Sequence, residues 1–96
     1  MENYNQNDPS IEDLLGSRAR VKILKLLAKN KELSFSQIIR DTKLNRSSVK
    51  SHLTYLKSNN LVQEKVFGRL KFYRYNSENV RARSLKKFID IWEGEI

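Results

Sequence analysis

The sequence predicts a mainly α-helical fold with one small β-hairpin, its elements in the order helix-helix-helix-hairpin-helix. Three features of the 96 residues lead there. Val21, Ile23, Leu24, Leu26 and Leu27 form the broad apolar stripe of a helix buried in a core. Residues 33–60 read as two short helices joined by a tight turn, the second with a single narrow apolar stripe. Residues 61–75 place β-branched and aromatic side chains on either side of Phe67-Gly68-Arg69, the pattern of a hairpin.

A chain of this length holds one domain with one modest core. Hydrophobic residues at 39% and charged residues at 31% fit a compact domain better than a disordered chain. Cysteine is absent, which removes a disulfide framework and any thiolate metal site. No apolar run approaches the roughly 18 residues of a membrane span, and the acidic start lacks the basic and apolar regions of a signal peptide. The expectation is a cytoplasmic protein.

Charge is unevenly distributed. The net value is +8, yet residues 1–16 carry −4 and contain no Lys or Arg. All 19 basic side chains lie in residues 17–92 and leave that body at +14, with Glu93 and Glu95 beyond it. A small body this basic suits a polyanion: DNA first, RNA second, an anionic membrane surface third.

In chain order, residues 1–10 are polar and contain the one Pro, which predicts a flexible acidic arm. Ile11, Leu14 and Leu15 share a helical face, and Gly16 interrupts it. Ser17 is placed to cap a helix over about 18–29. Leu33 is a candidate for a short strand. Ser34 and Gln37 have capping-box spacing and start a helix to about residue 40 or 41, with Phe35, Ile38 and Ile39 inward. Thr42, Lys43 and Leu44 make the turn, and Asn45 caps the next helix, about 46–59. Val49, Leu53 and Leu56 recur at i, i+4 and i+7, a stripe that leaves most of this helix's circumference free. Asn59 and Asn60 suit the left-handed backbone that ends a helix. After the hairpin, residues 76–79 break the strand and cap a last helix, about 80–93, which puts Leu85, Phe88, Ile89 and Trp92 on one side.

That order of elements is the order of a winged helix-turn-helix. Leu14-Leu15-Gly16-Ser17-Arg18-Ala19-Arg20-Val21-Lys22-Ile23-Leu24 resembles the opening of ArsR-like winged-helix regulators. Leu44-Asn45-Arg46-Ser47-Ser48-Val49-Lys50-Ser51-His52-Leu53 resembles their recognition helix. The stretch from Leu61-Val62 through Gly68-Arg69 to Phe72-Tyr73-Arg74-Tyr75 resembles their wing. The resemblance spans residues 11–92 and implies a domain organisation: an arm over 1–10, a winged-helix DNA-binding domain over 11–79, and a C-terminal dimerisation helix over 80–96.

An α-helix fits the major groove of B-DNA and places its N-terminal residues nearest the base edges. With Val49 and Leu53 inward, the expected outward set is Arg46, Ser47, Ser48, Lys50, Ser51, Thr54 and Tyr55. Arg69 at the hairpin tip, with Lys65 and Lys71 beside it, is placed to reach the backbone or minor groove, where phosphate contacts fix position and affinity. Phe72, Tyr73 and Tyr75 read as sheet and core packing. Metal-sensing relatives carry Cys clusters before the turn, or His and Asp on the last helix. Neither pattern stands here, so no metal is expected, and the one histidine, His52, reads as a packing or phosphate-contacting residue. No nucleophile–base pair, phosphate-binding loop or carboxylate dyad is legible, so neither an enzyme nor a cofactor is expected.

The last helix would leave a large apolar patch on a lone domain. Either it packs on Ile11, Leu14 and Leu15 of its own chain, or those residues join Leu85, Phe88, Ile89 and Trp92 against a second copy. The resemblance favours the homodimer. The function so implied is a sequence-specific double-stranded DNA-binding transcription regulator, with repression the sign by family analogy. A weakly specific DNA-coating nucleoid protein, and a winged helix used on RNA or protein, are the alternatives.

Overall fold

The computed structural model describes residues 9–94, so most of the acidic arm lies outside the described residues. The elements are α1 (Ile11–Leu15), α2 (Arg18–Lys29), β1 (Leu33–Ser34), α3 (Phe35–Thr42), α4 (Arg46–Ser58), β2 (Val62–Phe67), β3 (Leu70–Tyr75) and α5 (Val80–Glu93). The three strands form one antiparallel sheet in the order β1-β3-β2.

Each helix starts where a side chain can satisfy the amide groups that a first turn leaves open. Ser17 Oγ accepts the Arg20 amide at 3.2 Å, and Asn45 Oδ1 accepts the Ser48 amide at 2.8 Å. Asn79 Oδ1 accepts the Arg81 amide at 2.8 Å. Ser34 and Gln37 close a full capping box, with the Gln37 amide on Ser34 Oγ at 3.1 Å and the Ser34 amide on Gln37 Oε1 at 2.9 Å. The turn between α3 and α4 pivots on Lys43, whose backbone is left-handed at φ 60. Asn60 is left-handed too, at φ 61, and turns the chain from α4 into the hairpin.

Thr42 departs from expectation. It is the last residue of α3 and not part of the turn, and it is buried. Its hydroxyl donates to the Ile38 carbonyl at 2.6 Å, which removes the cost of placing a polar group in the core.

Ile23, Leu24 and Leu27 of α2 meet Ile38 of α3 and Val49, Leu53 and Leu56 of α4, all essentially sealed from solvent. Leu61 and Val62 extend that core beneath the sheet. Full burial of such side chains is worth about 1.5–3 kcal/mol each, which makes this the cluster that fixes the angle of α4. The Asn60 carbonyl accepts from both Asn76 and Asn79 side chains, at 2.8 and 3.0 Å, tying the end of α4 to the start of α5. Tyr75 Oη donates to the Ala82 carbonyl at 2.6 Å and pins α5 to the sheet.

Candidate nucleic-acid interface

Helix α4 keeps one narrow stripe in the core and turns Arg46, Ser47, Lys50, Ser51 and Thr54 to solvent. Two residues expected among them lie elsewhere. Ser48 is half-buried, and Tyr55 is half-buried with its ring packed on the core. The reason is geometric: positions 48, 52 and 55 repeat the i, i+4, i+7 spacing of the core stripe, displaced by one residue. They form its flank, under α2. The Arg20 guanidinium covers the Tyr55 ring at 3.6 Å, so the ring offers no outward face there.

His52 sits in the same flank. Its Nδ1 is buried without a partner, as are Tyr55 Oη and Arg20 Nε. Burial, and then the Arg20 charge, hold the imidazole pKa below its usual value, so His52 is neutral at physiological pH and adds no cation to the surface.

The wing is built by β2 and β3 in a register that ends with Phe67 opposite Leu70, leaving Gly68 and Arg69 as a two-residue connection. Gly68 has φ 59, the left-handed backbone that hairpin turns with glycine first require. Arg69 is thereby carried to the tip, fully outside the core.

Between α3, α4 and the wing lies a cleft of about 800 Å³. Arg46, Ser47 and Lys50 line one wall, and Arg69, Leu70 and Lys71 the other. The start of α3 closes the end with Phe35, Ser36 and Gln37. Four cations converge there, and among the described residues no carboxylate lines it. The Arg46 guanidinium lies over the Phe35 ring, 5.0 Å from its centroid, within cation–π range. Ser47 Oγ donates to Asn45 Oδ1 at 3.0 Å, and Thr54 Oγ1 to the Lys50 carbonyl at 2.8 Å, so both hydroxyls retain acceptor capacity.

Of the expected basic residues of the wing, Lys65 stands apart. It reaches Glu32 at 3.4 Å and does not line the cleft. Phe35, Ser36 and Gln37 were not among the expected interface residues. The Ser34–Gln37 capping box was the signal that could have placed the start of α3 beside α4 along the same cleft.

A second surface lies between α1 and α5. Leu14 and Ile89 are buried within the single chain and Leu85 partly so. Ile11, Leu15, Phe88 and Trp92 remain exposed, Trp92 to 76%. An apolar groove of about 630 Å³, lined by Ile11, Leu14, Leu15, Leu61, Leu85 and Phe88 among others, runs between the two helices. The intramolecular packing considered for this stripe is therefore only half made. Among the described residues no cluster of three His, Asp or Glu side chains is placed to hold a metal ion.

The family model described as bacterial regulatory protein, arsR family, matches residues 17–64, half of the chain, from the cap of α2 into the wing. No curated protein matches the sequence. Among solved structures, HlyU from Vibrio cholerae N16961 aligns with a TM-score of 0.72 at 22% identity, over 82% of this chain and 83% of that one, a likeness of fold. Mb0332 from Mycobacterium bovis, solved as a homodimeric winged helix-turn-helix DNA-binding domain of a possible ArsR-family transcriptional regulator, aligns at 0.68. It is 27% identical over 85% of this chain and 73% of that one. The transcriptional repressor PagR of Bacillus anthracis aligns at 0.67, with 28% identity over 79% and 84%.

Proposed function

The chain belongs to the ArsR family of bacterial regulatory proteins, and from that premise we propose that it binds operator DNA as a homodimer and represses transcription. The family is one of winged-helix transcriptional regulators, not enzymes. The observation that carries the reading is the cleft in which Arg46, Ser47 and Lys50 of α4 face Arg69 and Lys71 of the wing, with no carboxylate between them among the described residues. In this reading Arg46, Ser47, Lys50, Ser51 and Thr54 enter the major groove, while Arg69 and Lys71 hold the backbone or minor groove beside it. Ser48 and Tyr55 support the helix from its flank.

The dimer is supported by the exposed Ile11, Leu15, Phe88 and Trp92 around the α1–α5 groove. Aromatic side chains suit the dry centre of such a contact. Mb0332 was solved as a homodimer. Two-fold pairing would set two α4 helices about 34 Å apart, one DNA turn, and so favour a palindromic site. Repression follows PagR, which is described as a repressor. The protein would work in the cytoplasm, where its DNA is; no helix among the described residues is long and apolar enough to cross a membrane.

Selection of bound duplexes from a random pool tests this. The expected outcome is a palindrome with half-sites one turn apart, bound about 10³-fold or more above random DNA at physiological salt. Equal binding to all duplexes would replace regulation with DNA coating.

A further inference from the structure

The wing tip carries more apolar surface than a loop that only grips phosphates needs. Val66, Phe67 and Leu70 are 54%, 58% and 60% exposed. Phe67 and Leu70 are the last cross-strand pair before the turn, so both side chains leave the same face of the hairpin. Val66 leaves the other face, opposite Lys71. The Phe67 ring is steadied edge-on by Phe72, with centroids 6.1 Å apart. The Lys65 ammonium lies 5.8 Å from that same ring. Residues 66–72 include Arg69 and Lys71 and no acid, while Lys65 beside them is paired with Glu32 at 3.4 Å.

An occupant for such a tip must offer an apolar floor between anionic walls. Duplex DNA does so in its minor groove, about 6 Å wide between phosphate ridges, with stacked base steps at the bottom. The tip is also continuous with the proposed interface, because Leu70 and Arg69 line the cleft that holds Arg46 and Lys50. We propose that the wing enters the minor groove as a wedge, in which Phe67 and Leu70 press on a base step while Arg69 and Lys71 hold the phosphates. This rests on the duplex-binding reading above and deepens it.

The wedge has consequences that phosphate gripping lacks. Apolar side chains pushed against a base step partly unstack it and kink the duplex by about 20–90° toward the major groove. The cost is lowest at pyrimidine–purine steps such as TA and CA/TG and highest in stiff A-tracts. The wing would therefore select sequence at a step where it makes no base hydrogen bond.

The test uses the full chain on a duplex taken from the random-pool selection, with the bend read by energy transfer between end labels. The wild-type protein is expected to bend this duplex by about 20° or more. Phe67→Ser and Leu70→Ser should each straighten it and weaken binding by roughly tenfold, while Phe67→Leu keeps both bend and affinity. An A-tract placed under the wing should weaken the wild type and leave the serine variants unchanged. Both serine positions are exposed, and circular dichroism confirms that each variant is folded. A straight complex, or bend and affinity unaltered in both serine variants, overturns the wedge and leaves the tip to a protein partner. Failure to bind any duplex overturns the DNA reading itself, and the wedge with it.

Discussion

The Arg20 guanidinium lies 3.6 Å from the centre of the Tyr55 ring, and its Nη1 donates to the Asp13 carbonyl at 2.6 Å. One side chain on α2 thus touches α1 on one side and α4 on the other. A partly shielded cation over an aromatic face contributes on the order of 1 kcal/mol. Arg20→Ala is expected to cost about that in urea unfolding. Tyr55 Oη is buried without a partner, so Tyr55→Phe removes an unpaired polar atom and should hold or raise stability. DNA affinity should stay unchanged in Tyr55→Phe; a loss would return the hydroxyl to the interface.

What the sequence showed and what it hid divide along physical lines. The caps Ser17, Ser34 and Asn45 are legible, and for the last helix the capping segment 76–79, because capping is local and needs only neighbours in the chain. The stripe of Val49, Leu53 and Leu56 gave the centre of the buried face of α4 but not its width. The width depends on how far α2 overhangs, which is why Tyr55 was assigned outward and is half-buried. Thr42 falls with Lys43 and Leu44 in the turn when only the chain order is read, because its bond to the Ile38 carbonyl lies beyond composition. The exposure of Phe67 and Leu70 was hidden for the opposite reason. Alternation describes a strand's faces but not where the hairpin outruns the core beneath it.

Arg69 and Lys50 should separate by the kind of contact each makes. Arg69 sits on the wing connection, clear of the core, where a phosphate partner is natural. Arg69→Ala is expected to weaken all duplexes alike and lower the slope of log affinity against log salt by about 1. Lys50 is on the face of α4 that lines the cleft. If it reads a base, Lys50→Ala relaxes preference at one position of the site, at a cost of about 1–3 kcal/mol for the preferred base. Equal loss on every sequence would make Lys50 a second phosphate contact.

The proposed dimer is best tested without removing α5. Ala82 and Ile89 belong to the buried interior, and Ala82 accepts the Tyr75 hydroxyl, so truncating after Asn79 would damage the fold as well as the interface. Phe88 and Trp92 stack at 5.7 Å on the exposed side. Phe88→Ser with Trp92→Ser should therefore leave a folded monomer by sedimentation and circular dichroism, its apparent stability lowered by the loss of the partner and no longer dependent on protein concentration. Binding to a full palindrome should fall toward that of one half-site. A double variant that still sediments as a dimer would sink the assignment of this face.

Glu64 links α4 to the wing and should make that link sensitive to acid. Its carboxylate accepts the Tyr73 hydroxyl at 2.6 Å and the Lys57 ammonium at 3.1 Å. Those bonds, Tyr73's foremost, hold its pKa below the ordinary 4.5, against the opposing effect of burial. Burial and the same bond push the Tyr73 hydroxyl well above its usual range. Because the folded pKa lies below the unfolded one, the unfolded chain takes up the proton first as pH falls. The stabilisation is therefore complete above the ordinary carboxylate value and is lost as pH drops through the folded value. Urea midpoints should decline from about pH 5 downward, and Glu64→Gln should flatten part of that decline while lowering stability near neutrality. Lys57 is on α4, Glu64 on β2 and Tyr73 on β3, so the same protonation loosens the base of the wing against the helix. An equally steep decline in Glu64→Gln would assign the acid sensitivity to other carboxylates and leave this junction held by packing alone.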